Sequence, residues 1–239
     1  MLVAKNVRAD DFEKAELKAN HAVQALLSQL SVRFNFPVII AKTKVVETAT
    51  ANQRLEVTTP FGVQKLGQLG TVMPVAGFEV YASLYREALN SNSPVYRFLC
   101  FYKIIEGLRI RRNRLASERK QKGESPTRQR ELLPSDSASA RTWLRDIFEL
   151  PPGPDEMNVA FVFPPNTFGQ RVNRIIERVL TPLRVGIAHA VLDTGETTLV
   201  AHELLHMRQI RTWLPLINCI ARLMLRTDFP EAFTPPGVR

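Results

Sequence analysis

The chain has 239 residues, 45% of them hydrophobic and 23% charged, with a formal net charge of +9. That length supplies a core for one large domain or two small ones, and the composition excludes wholesale disorder. No apolar run reaches the ~18–20 residues that span a bilayer. The opening MLVAKNVRADDF lacks the charged-then-apolar layout of a secretory signal, and two cysteines, Cys100 and Cys219, are too few for a disulfide framework. Both lie in apolar, helix-like runs and read as buried thiols of a cytoplasmic protein.

In chain order, Asp10 to about Val32 carries apolar residues at helical spacing, with Asp10 and Asp11 at the positive end of the helix and Pro37 closing it. Two β-like runs follow, Val38 to Thr48 and Arg54 to Thr59, joined by a turn at Ala49 to Asn52. Gly62 to Gly77 is an irregular connection. Helical periodicity returns from Phe78 to about Leu89. Ser93-Pro94 is an N-cap and first-turn pair for a long helix whose stripe includes Phe98, Phe101, Ile105 and Leu108, and which runs on to about Lys120. Lys122 to Ser139 is polar and reads as a mobile loop. A helix from Ser139 to Leu150 stops at Pro151-Pro152-Gly153-Pro154. Asn158 to Phe163 reads as a strand or extended pass. Further helices run from Asn166-Thr167 to about Leu192 and from Thr197 to about Leu225, the last interrupted by Pro215.

The charge is local. Between Arg109 and Arg130 stand nine basic residues against Glu118 and Glu124, so this window holds +7 of the +9. Arg109, Arg111, Arg112 and Arg114 are spaced to track a phosphate backbone, and no aromatic interleaves them for base stacking. The structural alternative is a solvated extension of the helix.

Four histidines are present, and His21 sits in an alanine-rich helix with no ligand at helical spacing. His202-Glu203-Leu204-Leu205-His206 spells the HExxH pattern, in which two imidazoles one turn apart grip zinc and the glutamate activates water. Gln209 and Thr212 stand where the extended pattern needs Gly and His. A carboxylate third ligand downstream comes down to Asp228 or Glu231. On a helical wheel, His202 falls toward the polar side and Glu203 toward the apolar side. A competing arrangement is Arg184-Val185-Gly186-Ile187-Ala188-His189, an Arg-x4-His that closes a helix before a turn.

The Arg-x4-His segment, together with the apolar helix Tyr96 to Glu106, resembles the HEPN superfamily (higher eukaryotes and prokaryotes nucleotide-binding), whose members carry R-x4-6-H near the end of a bundle helix. The layout also resembles the methylamine-utilisation accessory factors of bacteria. The resemblance covers about residues 78–228. It implies a helical bundle, frequent pairing of two copies, and metal-independent RNA cleavage without a cofactor. His189 would move the proton of a ribose 2′-hydroxyl or leaving oxygen, and Arg184 would neutralise the phosphorane. Residues five apart on a regular helix differ by about 140° and about 7.5 Å, so the two meet through a long arginine reach, a break near Gly186 or a second copy of the chain. Glu106, on the apolar stripe, would need a cation such as Arg184 or His189. Val185 departs from the polar residue the family often has there, which favours a non-catalytic interaction module.

The expectation is therefore a mainly α (α+β) protein: an N-terminal helix and β-hairpin region over residues 1–77, an HEPN-like helical bundle over 78–228 and a proline-rich tail over 229–239. Its expected function is RNA binding or cleavage through Arg184, His189 and Glu106, with Arg109, Arg111, Arg112 and Arg114 on the RNA. The expected partners are RNA, a second copy of the chain and a further protein, with no membrane, metal or cofactor. The alternatives are a zinc-dependent HExxH hydrolase and a non-catalytic interaction module.

Overall fold

A computed structural model describes residues 7–37, 42–46, 53–57, 75–125, 131–149, 159–188 and 204–233. The protein is mainly helical and divides into two compact units, Met1–Asn90 with Glu231–Arg239, and Ser91–Pro230.

In the smaller unit, helix α1 (Phe12–Phe34) starts where the side chain of Asp11 accepts the Lys14 N–H at 2.7 Å. It stops at Asn35, whose φ of 51° is the left-handed conformation that asparagine tolerates. Its C-terminal half is the buried part, where Leu27 and Leu30 gather Val23, Leu26 and Phe36. Strands β1 (Lys42–Val46) and β2 (Gln53–Val57) pair antiparallel, Lys42 opposite Val57 and Val46 opposite Gln53. Helix α2 (Glu79–Asn90) packs on α1 and buries Ala82, Tyr85 and Ala88. Two of these are small, which permits close approach, and the Tyr85 hydroxyl donates to Asn35 Oδ1 at 2.6 Å. Phe78 meets Phe233 edge to face at 6.1 Å. Periodicity alone places the boundary at residue 78 and α2 in the bundle. The structure places it after Asn90, because the buried face of α2 lies on α1.

The larger unit is built on α3 (Pro94–Gln121) and α8 (Leu204–Asp228), which pack along each other. Ser93 caps α3 by accepting the Tyr96 N–H at 3.3 Å, with Pro94 in the first turn. Phe98, Phe101, Ile104, Ile105 and Leu108 on α3, and Ile210, Ile217, Ile220, Ala221 and Met224 on α8, are wholly buried. Their three- and four-residue spacing is the stripe that lets two helices share a core. Helix α4 (Ser137–Phe148) opens with a reciprocal capping box between Asp136 and Ser139. Its carboxyl end is held by α8: buried Arg222 donates from Nε to Ile147 O at 2.6 Å and Arg226 donates to Asp146 O. Two guanidiniums at the negative end of a helix dipole satisfy carbonyls that the helix leaves open.

Short helices α5 (Val159–Val162) and α6 (Val172–Ile175) follow. The latter continues without interruption through a π-helical turn, Ile176–Leu180, into α7 (Thr181–Ala188). The Thr181 N–H reaches back five residues to Ile176 O, and Thr181 Oγ1 shares a 2.9 Å hydrogen bond with Tyr102 of α3.

Three expectations change. Val159–Val162 is one helical turn where a strand or extended pass was expected. The helix expected from Asn166 begins at Val172, because the preceding residues form a turn with Thr167 Oγ1 donating to Pro164 O at 2.7 Å and left-handed Asn166 and Gly169. The polar stretch expected to be mobile is pinned at its end. Leu132 bridges antiparallel to Arg171, the Leu133 N–H donates to Gln170 O at 2.9 Å, and the Val172 N–H donates to Glu131 O at 3.0 Å.

Cys100 and Cys219 both carry buried thiols, and burial pushes the Cys219 thiol up to about 12. Neither thiol is expected to react with iodoacetamide at neutral pH in the folded protein, and both are expected to react in denaturant. Alkylation of Cys219 at equal rates with and without denaturant would contradict this burial.

Candidate functional site

The arginines at the end of α3 do not stand in solvent as a loose arm. Arg112 is gripped on both edges of its guanidinium. One edge donates from Nη1 and Nη2 to the two Glu131 oxygens at 3.0 and 2.8 Å, and Nε donates to both Asp228 oxygens at 2.9 and 3.0 Å. Arg111 lies 3.9 Å from the same Asp228 and 4.6 Å over the Phe229 ring. Asp228 is only 2% exposed, Glu131 12% and Arg112 19%, so this is an ion-pair network largely withdrawn from water. Burial works against charge on Arg112, yet the hydrogen bonds and charge of Glu131 and Asp228 outweigh it and hold its pKa above the ordinary value. Burial pushes the Asp228 carboxyl up, against the pull of Arg112 and Arg111.

This network floors one end of a cleft of about 1360 Å³. Its first wall is α3, with Arg109, Arg111, Arg112 and Arg119. Its second wall is the segment from Gly169 through α6 into the π-helical turn, with Arg171, Arg174 and Arg178. Glu131 joins the walls, since its carbonyl accepts the Val172 N–H while its carboxylate holds Arg112. Seven arginines therefore face three carboxylates, Glu131, Glu177 and Asp228, and no aromatic side chain lines the space among the described residues. Such a concave surface, with cations in excess, concentrates anions.

The expected site residues separate. Arg109, Arg111 and Arg112 come together in the cleft, where Arg109 is paired with Glu177 at 2.9 Å. Arg114 points elsewhere and pairs with Glu118 at 3.6 Å on its own helix. Glu106 is not on the buried stripe: it is exposed, like Lys103 and Ile110, and these three share the opposite face of α3 at helical spacing. No ion pair joins it to Arg184 among the described residues. Arg184 is half-buried on α7, outside the cleft lining. His189, His202 and Glu203 lie outside the described residues, and His206 is described only as part of the α8 backbone. Asp228, one of the carboxylates that an HExxH zinc site would recruit, is committed to Arg112. The residues missed from the sequence are Arg171, Arg174 and Arg178. Their spacing of three and four is the signal that finds them, since it puts three cations on one helical face.

Residues 81–226 match the family described as methylamine utilization protein MauJ. The chain belongs to that family. The matched MauJ span includes the whole of the arginine cleft apart from Thr227 and Asp228, together with most of α2. No curated protein and no solved structure matches the chain. No helix among the described residues is long and apolar enough to cross a membrane.

Replacing Arg112 by methionine strands two largely buried carboxylates, and is expected to cost about 3 kcal/mol of unfolding free energy in urea titrations. A loss below about 1 kcal/mol would mean that the network does not hold the cleft together.

Proposed function

We propose that this MauJ-family protein binds RNA along the arginine cleft, gripping the phosphate backbone. The observation that carries the reading is the excess of seven arginines over three carboxylates around one concave space. Phosphate is the anion that guanidinium forks fit best in pairs, and a strand offers it at regular intervals. The lack of aromatic lining argues for recognition of backbone over bases. Kinship of the MauJ bundle with HEPN proteins belongs to the same reading, and would bring a second copy of the chain alongside the first.

Binding is expected to weaken steeply with salt. Each phosphate contact on a single strand contributes about 0.7 to the slope of log affinity against log salt, so three contacts give a slope near 2. Anisotropy of a labelled RNA titrated between 50 and 300 mM salt measures it, and affinity unchanged across that range would remove the electrostatic basis of the proposal.

A second reading adds cleavage at Arg184 and His189. It is favoured by Arg184, half-buried on the same continuous helical run as Arg174 and Arg178 and without a carboxylate within 4.0 Å among the described residues. In this reading the imidazole moves the proton of the 2′-hydroxyl, the guanidinium takes the developing phosphorane charge, and no metal takes part. Wild-type protein in EDTA is then expected to cut RNA, and His189→Ala to lose at least about 100-fold of that rate. Binding without cleavage in either protein would leave a binding module, as Val185 beside Arg184 favours.

A further inference from the structure

The arginines of the cleft are not equivalent, and the difference lies in their partners. Arg112 is saturated by Glu131 and Asp228, and Arg111 is engaged by Asp228 and the Phe229 ring. Arg171, Arg174 and Arg178 are exposed, and none has a carboxylate within 4.0 Å among the described residues. Between these extremes stands Arg109, paired with Glu177 at 2.9 Å in a bridge whose side chains are 35% and 60% exposed. A pair so open to water contributes little and exchanges partners readily. Glu177 is the neighbour of Arg178 in the π-helical turn, so the acidic group lies within the row of free cations.

We propose that Arg171, Arg174 and Arg178 are the phosphate-binding wall of the cleft, that the ligand is a single RNA strand read through its backbone, and that Glu177 is a built-in competitor that a phosphate displaces from Arg109. This rests on the RNA-binding reading above. Arg171 and Arg178 are seven residue steps apart, roughly 10 Å at helical rise, so the wall reaches beyond one phosphate. It is also rigid. Arg171 is held by its bridge to Leu132, and the Glu131 carbonyl fixes the next residue, Val172. Glu131 thereby spaces the binding wall from the Arg112 wall, and the saturated arginine serves as the anchor of that spacing. Displacing Glu177 frees Arg109, which turns to the phosphate and joins the three exposed arginines of the wall.

The test is fluorescence anisotropy with a labelled mixed-sequence 12-mer RNA, single-stranded and as a duplex, using the full chain. Arg171→Gln/Arg174→Gln/Arg178→Gln is expected to bind the single strand at least about 10-fold more weakly at physiological salt, and its salt slope is expected to fall by about 2. The control Lys103→Gln/Arg208→Gln/Arg211→Gln removes the same charge from exposed positions outside the cleft, and is expected to lose less than about 3-fold. Glu177→Gln is expected to bind about 2- to 5-fold more tightly than wild type. Circular dichroism confirms that the exposed variants fold. Equal losses in the two triple variants would overturn the wall, as general charge would then account for binding. Unchanged or weaker binding by Glu177→Gln would overturn the competitor, and equal binding of the duplex would overturn the single strand. Absence of RNA binding by wild type would overturn this proposal together with the RNA-binding reading, whereas wild-type binding that survives in Arg171→Gln/Arg174→Gln/Arg178→Gln would overturn this proposal alone.

Discussion

Glu131 is the residue on which the larger unit's cleft depends. Its carboxylate takes one edge of Arg112 on α3, and its carbonyl takes the first N–H of α6, so a single residue fixes two walls. The other edge of Arg112 goes to Asp228 at the end of α8, which brings a third helix into the same junction. Charges withdrawn from water in this way are costly unless every donor and acceptor is met. Here the geometry is bidentate on one side and forked on the other, so the cost is offset and the arrangement is specified. Hydrophobic contact between α3 and α8 aligns the helices, but it is non-directional. The ion-pair junction supplies the direction.

The same junction explains how a basic segment is partly silent. Formal charge places +7 within 22 residues of sequence, yet the cleft divides its arginines between structural use and exposure. A count of charges along the chain does not distinguish the two. What distinguishes them is the position of three carboxylates remote in sequence, Glu131, Glu177 and Asp228, two of which arrive on other helices.

Local signals were legible where the partner of a residue is close in sequence. Asp11 and Ser93 cap helices that begin where their caps stand, and the apolar stripe of Phe98 to Leu108 is buried. Glu106 shows the limit of reading a stripe by eye. It follows Ile105 directly, but at 100° per residue it falls with Lys103 and Ile110 on the exposed face. The pinned end of the polar loop was illegible because its order comes from backbone bonds to residues 170–172, which leave no mark on side-chain pattern. The second arginine wall was legible in principle, at spacing of three and four, but it lacks the density that draws attention to residues 109–114. His189 and the His202-Glu203 pair lie outside the described residues.

The π-helical turn between α6 and α7 carries a consequence for the phase of the whole helical run. A wide turn accommodates one residue more than an α-helical turn, which offsets every later side chain by about 100°. Arg174 lies before that offset, and Arg184 after it. The angular relation between the cleft wall and Arg184 is therefore set by an insertion of a single residue, held in register by the Tyr102–Thr181 hydrogen bond. Relatives that lack the inserted residue would keep both arginines in sequence and lose their mutual orientation.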